Sequence, residues 1–163
     1  MRSFLFLVAG ALCLAGCGKS PSERLAEAAV SAASGHKVEV DKDGGQVTIK
    51  SDQGDLKIAS GESAALPASF PKDVYLPAEY SIDSVMEMPN AQVVSLAASG
   101  SAATLFADAS KQMQAQGWKQ TMAMQQSGSA QMLAFEKDRR SAMLTFDEQD
   151  GAVKVGLQLT TRQ

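Results

Sequence analysis

From Lys37 onward, apolar side chains recur at every second position in one short run after another. Period two is the signature of strands that turn one face to a core. Val38 and Val40, Val47 and Ile49, then Leu56 and Ile58 make three such runs, separated by Asp43-Gly44-Gly45 and Asp52-Gln53-Gly54. Glycine and aspartate tolerate positive φ, so both separators suit hairpin turns. The runs predict a three-stranded meander over residues 36–60, which is marginal alone, so its apolar face has to cover something. Residues 61–69, small and polar with one proline, read as a linker.

The remainder, residues 70–163, predicts a second pattern. Phe70-Pro71-Lys72-Asp73-Val74-Tyr75-Leu76-Pro77 is an extended lead-in, because its two prolines forbid a helix. A hairpin follows, from Ile82 to Met88 and Ala91 to Ala97 around Pro89-Asn90. The period then changes to 3.6. Leu105, Phe106, Ala109 and Met113 share one helical face, Ser99-Gly100-Ser101 precedes it, and Gly117 sits where a left-handed cap ends it. Four more alternating runs lie near Trp118 to Gln125, Gln131 to Lys137, Ser141 to Glu148 and Val153 to Thr161, broken at Ser127-Gly128, Asp138-Arg139-Arg140 and Asp150-Gly151. The expected fold is α+β: an antiparallel sheet of about six strands packed on one helix (β-β-α-β-β-β-β), preceded by a short helix and the meander.

The first residues have another character. One cation, Arg2, precedes an uncharged apolar run from Phe4 to Leu14, and small residues follow. That is the plan of an export signal, and the run is too short to span a bilayer, which takes roughly 20 apolar residues. Leu14-Ala15-Gly16-Cys17 resembles the bacterial lipobox, which identifies residues 1–16 as a lipoprotein signal peptide. The resemblance implies cleavage before Cys17 and acyl chains on its sulfur, and several acyl chains make anchoring effectively permanent. Ordinary cleavage at Ala9-Gly10-Ala11 is the competing reading, but it leaves too short an apolar core. In lipoproteins of this kind an aspartate after the cysteine often signals inner-membrane retention. Gly18 stands there, so the expected site is the outer membrane, facing the periplasm.

Beyond the anchor, Ser20-Pro21-Ser22-Glu23 forms a capping box for a short, alanine-faced helix that ends at Gly35, so residues 17–35 read as lipid anchor and spacer. Removing residues 1–16 from 163 leaves 147, enough for one good core or two small ones. Cys13 leaves with the signal and Cys17 is consumed by lipid, so stability must come from packing and not from a disulfide. Loss of Arg2 takes 15 basic residues to 14, against 18 acidic, with no basic run to coat phosphates, and nucleic acid is therefore not an expected partner. His36 is the only histidine, so multi-histidine metal sites and histidine-dependent triads have no material. The elements Phe70-Pro71-x-Asp73-Val74 and Gly117-Trp118, flanking a strand and a helix, resemble domains of uncharacterised exported bacterial lipoproteins. Those are packing and turn residues, and the resemblance brings no catalytic set.

Methionine is the enriched residue with chemistry to offer. Met86 with Met88, and Met122 with Met124, are same-face strand pairs whose soft sulfurs suit Cu(I). The plainer reading is core filling, since Met122 and Met124 share a parity with Trp118, and Met86 and Met88 with Ile82. Met132 and Met143 fall on the face opposite Leu133, Phe135, Leu144 and Phe146. The meander is the simpler cover for that face, and a partner protein or lipid-like ligand the functional one. Arg139 and Arg140 at a hairpin tip are a solvated turn or a contact for anionic headgroups or an acidic partner. Glu136 with Asp147 or Glu148 could pair across strands as glycosidase carboxylates do, but acids near strand ends are usually solvated. Ser99-Gly100-Ser101 reads as a helix cap and not as an anion site. The expectation is a non-enzymatic, lipid-anchored envelope protein without a cofactor, with Met132, Met143, Arg139 and Arg140 as candidate contacts for an envelope protein. A small-ligand or Cu(I) binder is the alternative.

Overall fold

The structure, a computed structural model, describes residues 28, 31, 37–40, 45–52, 54–125 and 130–162. The expected export segment, Cys17, His36 and the turn expected at Ser127-Gly128 lie outside the described residues. So does most of the helix expected before Gly35, of which Ala28 and Ser31 are described and helical. Among the described residues no helix is long and apolar enough to cross a membrane.

Among the described residues nine strands form one antiparallel sheet: β1 (Lys37–Val40), β2 (Gln46–Lys50), β3 (Leu56–Ser60), β4 (Tyr80–Met88), β5 (Ala91–Ala98), β6 (Lys119–Met124), β7 (Gln131–Lys137), β8 (Arg140–Gln149) and β9 (Ala152–Thr161). Their spatial order is β1-β2-β3-β4-β5-β9-β8-β7-β6, and a helix, α1 (Ala102–Ala115), connects β5 to β6. The α+β class with one helix on an antiparallel sheet is as expected. The strand count is nine and not about six, because β3 pairs with β4, Ile58 opposite Met86 and Ala59 opposite Val85. The meander therefore extends the sheet edge to edge and does not lie across its outer face. An unpaired β3 edge would leave its backbone groups without partners, and the nine-residue β4 supplies them.

Tight chemistry at the ends of α1 positions it. Ser101 Oγ accepts from Thr104 N at 3.2 Å, while Glu148 Oε1, reaching from the end of β8, accepts from Ala102 N at 2.9 Å. A carboxylate there also complements the helix dipole. At the other end Gly117 has φ of +83°, Trp118 N donates to Met113 O and Gly117 N to Gln114 O. This is a Schellman ending, and it delivers Trp118 into the core. Leu105, Phe106, Ala109 and Met113 bury against Leu133, Phe135, Leu144, Phe146 and Leu157, with Phe106 edge-on to Phe146 at 6.1 Å. The lead-in also joins this layer, Tyr75 N donating to Met113 Sδ.

Two one-residue irregularities break strict alternation, between Ile82 and Ser84 in β4 and between Gln120 and Met122 in β6. Each bulge flips the side-chain parity beyond it. Cross-strand partners share a face, so the registers trace two rows. Val85, Val94, Leu157, Leu144 and Leu133 run along the core face beneath α1. Val40, Val47, Ile58, Met86, Val93, Gln158, Met143, Ala134 and Met122 run along the outer face through all nine strands.

Neighbouring residues on opposite faces make this assignment testable. Leu144→Ala, at a fully buried position, is expected to cost about 2–5 kcal/mol. Met143→Ala, half-buried on the outer face, is expected to cost about 1 kcal/mol or less. Urea denaturation of the two variants measures both, and equal losses would contradict the face assignment.

Candidate functional site

Among the described residues the charged corner beside Trp118 is the most highly connected polar cluster. Pro71 accepts from Val74 N and holds the lead-in bent, so Asp73 faces the start of β8. Arg140 grips that carboxylate with both arms of its guanidinium, Nη1 to Oδ1 at 2.9 Å and Nη2 to Oδ2 at 2.8 Å. Such bidentate pairs are the strongest common ion pairs. Lys137 Nζ donates to the same Oδ2 at 2.7 Å and to Gln116 O, near the C-terminal end of α1. Arg140 also lies 4.8 Å above the Trp118 ring, and Trp118 Nε1 donates to Asp73 O at 2.8 Å.

The Arg140 hydrogen bonds hold the Asp73 carboxyl well below the usual carboxylate range. Burial opposes them, and Lys137 adds to the lowering. Asp73 in turn raises Arg140. Arg140 is thus not the free cation expected at a hairpin tip: carboxylate and indole occupy it. Arg139, beside it in the turn, is exposed. The corner fastens the lead-in to the sheet, and it explains the Asp73 and Trp118 positions of the pattern singled out in the sequence as packing. Asp73 and Lys137 were missed as partners, because 67 and 64 residues separate Asp73 from Arg140 and from Lys137.

The outer face gathers the methionines. Because of the two bulges, Met86 and Met88 lie on the face opposite Ile82, whose partner is the buried Leu96. Likewise Met122 and Met124 lie opposite the core face and are 46% and 52% exposed, in contrast to Trp118. Core filling is therefore the wrong account of both pairs. Of the seven methionines among the described residues, six stand on the outer face and Met113 lies in the core. They fall into two groups, Met86 and Met88 on β4, and Met122, Met124, Met132 and Met143 on β6 to β8. In the second group Met124 is directly opposite Met132, while Met122 and Met143 flank Ala134 from the two neighbouring strands. An open cleft of about 290 Å³ lies beside this group and is lined by Met143 with Thr121, Ala134, Glu136, Gln158 and Arg162, while Met122, Met124 and Met132 stand outside it.

The carboxylates do not assemble. Glu136 pairs with Arg162 at 3.1 Å, and its strand partner is Ser141 at one end of β8. Glu148, at the other end, caps α1. The seven steps of extended strand from Ser141 to Glu148 span roughly 23 Å. Among the described residues no group of three or more His, Cys, Asp or Glu converges on a common point.

Asp73→Asn removes the charge from the corner and leaves Arg140 and Lys137 uncompensated, at a cost of about 1.5–3 kcal/mol at neutral pH. A carboxyl lowered in the folded state stabilises above its unfolded pKa of about 3.9, and that contribution is lost as pH falls below it. The gap between wild type and Asp73→Asn should therefore be full at pH 7 and narrower at pH 3, as read from denaturation midpoints. A gap independent of pH would refute the assignment.

No family model matches the chain, and no curated protein matches it. Among solved structures, the solution structure of cyanobacterial PsbP (CyanoP) from Synechocystis sp. PCC 6803 is similar with a TM-score of 0.39 and 11% identity, over 77% of this chain and 79% of that one.

Proposed function

We propose that this protein is a lipid-anchored, non-enzymatic module of the bacterial envelope, held on the periplasmic side of the outer membrane by Cys17, and that it receives a partner protein on the outer face of its sheet. The observation that carries the reading is the row of outer-face side chains from Val40 to Met122. Its members are aliphatic, thioether or small, with Gln158 the one polar side chain. Charged groups lie to either side of the row, Lys154 with Asp147, and Lys119, Glu136 and Arg162. An apolar centre rich in methionine with charges confined to the rim is the composition of protein interfaces. Met132 and Met143 are the contacts proposed at its centre, Arg139 a contact at its margin. Arg140 supports the surface from behind through Asp73.

The anchor and the face are tested separately. Cys17→Ser should move the protein from the membrane fraction to the soluble periplasmic fraction, and unchanged membrane association would overturn the anchor. Cross-linking in cells from position 143 should capture an envelope protein that is not captured from Lys111 on the exposed side of α1. Met132→Glu with Met143→Glu should abolish that complex with little change in thermal midpoint. A complex that survives the double substitution removes the face as the contact.

A further inference from the structure

We propose that Met122 and Met124 are a reversible oxidation site, where a peroxide converts both thioethers to sulfoxides and makes this end of the outer face polar. The bulge between Gln120 and Met122 presents them, because it turns both side chains away from the core on the edge strand β6. They are 46% and 52% exposed, whereas Met86, Met88, Met132 and Met143 are half-buried and Met113 is fully buried. Methionine oxidation follows access to the sulfur. The Met113 sulfur is also engaged, since Tyr75 N donates to its Sδ at 3.2 Å. Among the described residues Met122 and Met124 are therefore the thioethers that an oxidant in solution meets first.

In the step itself a sulfur lone pair attacks one oxygen of hydrogen peroxide, and the S–O bond forms as the O–O bond breaks. The departing hydroxide takes the proton from the transferred oxygen and leaves as water. Sulfur loses two electrons and the peroxide gains them. A methionine sulfoxide reductase reverses the change with electrons from thiols. The fold tolerates the product, because neither side chain belongs to the core and Met124 is the last residue of β6. Its effect falls on the surface. Met124 is directly opposite Met132, and Met122 directly opposite Ala134, with opposed Cβ atoms roughly 4.5–5.5 Å apart. The new sulfoxide oxygens thus arise beside the apolar centre, and a partner that covers them has to desolvate strong acceptors. That consequence rests on the docking reading; the oxidation does not.

The test treats the purified protein with graded hydrogen peroxide and reads oxygen uptake at each methionine by peptide mass mapping. The first two oxygens should enter at Met122 and Met124, ahead of Met86 and Met88. Uptake there should be at least about a hundredfold faster than at Met113, which only opened molecules expose. The thermal midpoint should not fall, and the reductase should restore the original mass. Met122→Leu with Met124→Leu should abolish the fast uptake, and Met122→Leu alone, a second variant if the double one folds poorly, should remove one of the two fast oxygens. Early uptake at Met113, equal uptake at Met86 and Met88, or a midpoint that falls with the first two oxygens overturns the site. In cells, peroxide should lower the yield of the complex cross-linked from position 143 on the order of tenfold in the wild type and spare it in the double leucine variant. An undiminished yield from oxidised wild type overturns the effect on docking. No complex before oxidation counts against the docking reading alone, and the peptide map still decides the site.

Discussion

Two extra residues, one in β4 and one in β6, decide which side chains of those strands belong to the core. A strand has an exact side-chain period of two, so a single inserted residue transfers every later side chain of that strand to the other face. Before its bulge β4 points Ile82 at the core. Beyond it, the strand points Val85 there, and Met86 and Met88 outward. In β6, Gln120 stays on the core side, where its Oε1 accepts from Ser110 of α1, and Met122 and Met124 turn outward. Without these bulges the outer face would hold far fewer sulfurs, and the core would have to accommodate four more methionines.

The core works with what remains. One helix and an extended lead-in cover the inner face, with no disulfide among the described residues, so the lead-in needs its own fastening. Asp73 supplies it by joining three elements at one carboxylate: the lead-in itself, the β7–β8 hairpin through Lys137 and Arg140, and the helix end through the Lys137 bond to Gln116 O. Stacking on Trp118 makes the hairpin cation part of the packed layer. The Schellman ending of α1 is what brings Trp118 to that place. Local capping chemistry and a long-range ion pair thus depend on one another.

Local features were the legible ones. Gly117 as the end of α1, Asp150-Gly151 as a turn with positive φ at both residues, and the Pro89-Asn90 hairpin are each set by neighbours in sequence. The apolar patterning also gave every strand of the sheet and the helix face that packs on it. Three things were not legible, for a common reason. The pairing of β3 with β4, the two bulges and the grip of Arg140 on Asp73 are choices made between distant segments. Alternation says which residues share a face, and it does not say which strand lies beside which or where one residue is left over. Since the group of methionines on β6 to β8 depends on a bulge and on three strands, sequence parity could find its members only separately.

The bulge in β6 bears on how this surface can be used. β6 is an edge strand, and an exposed regular edge invites pairing with another chain. A bulge twists such an edge and interrupts its ladder, which disfavours strand addition there. The same extra residue places Met122 and Met124 on the broad outer surface, next to Met132 and Met143. In the proposed role, contact would be directed away from the edge and to the face, where recognition depends on side chains and not on backbone hydrogen bonds. A flexible, polarisable side chain suits that role, since it can adapt to an apolar partner or turn its sulfur toward a soft ion.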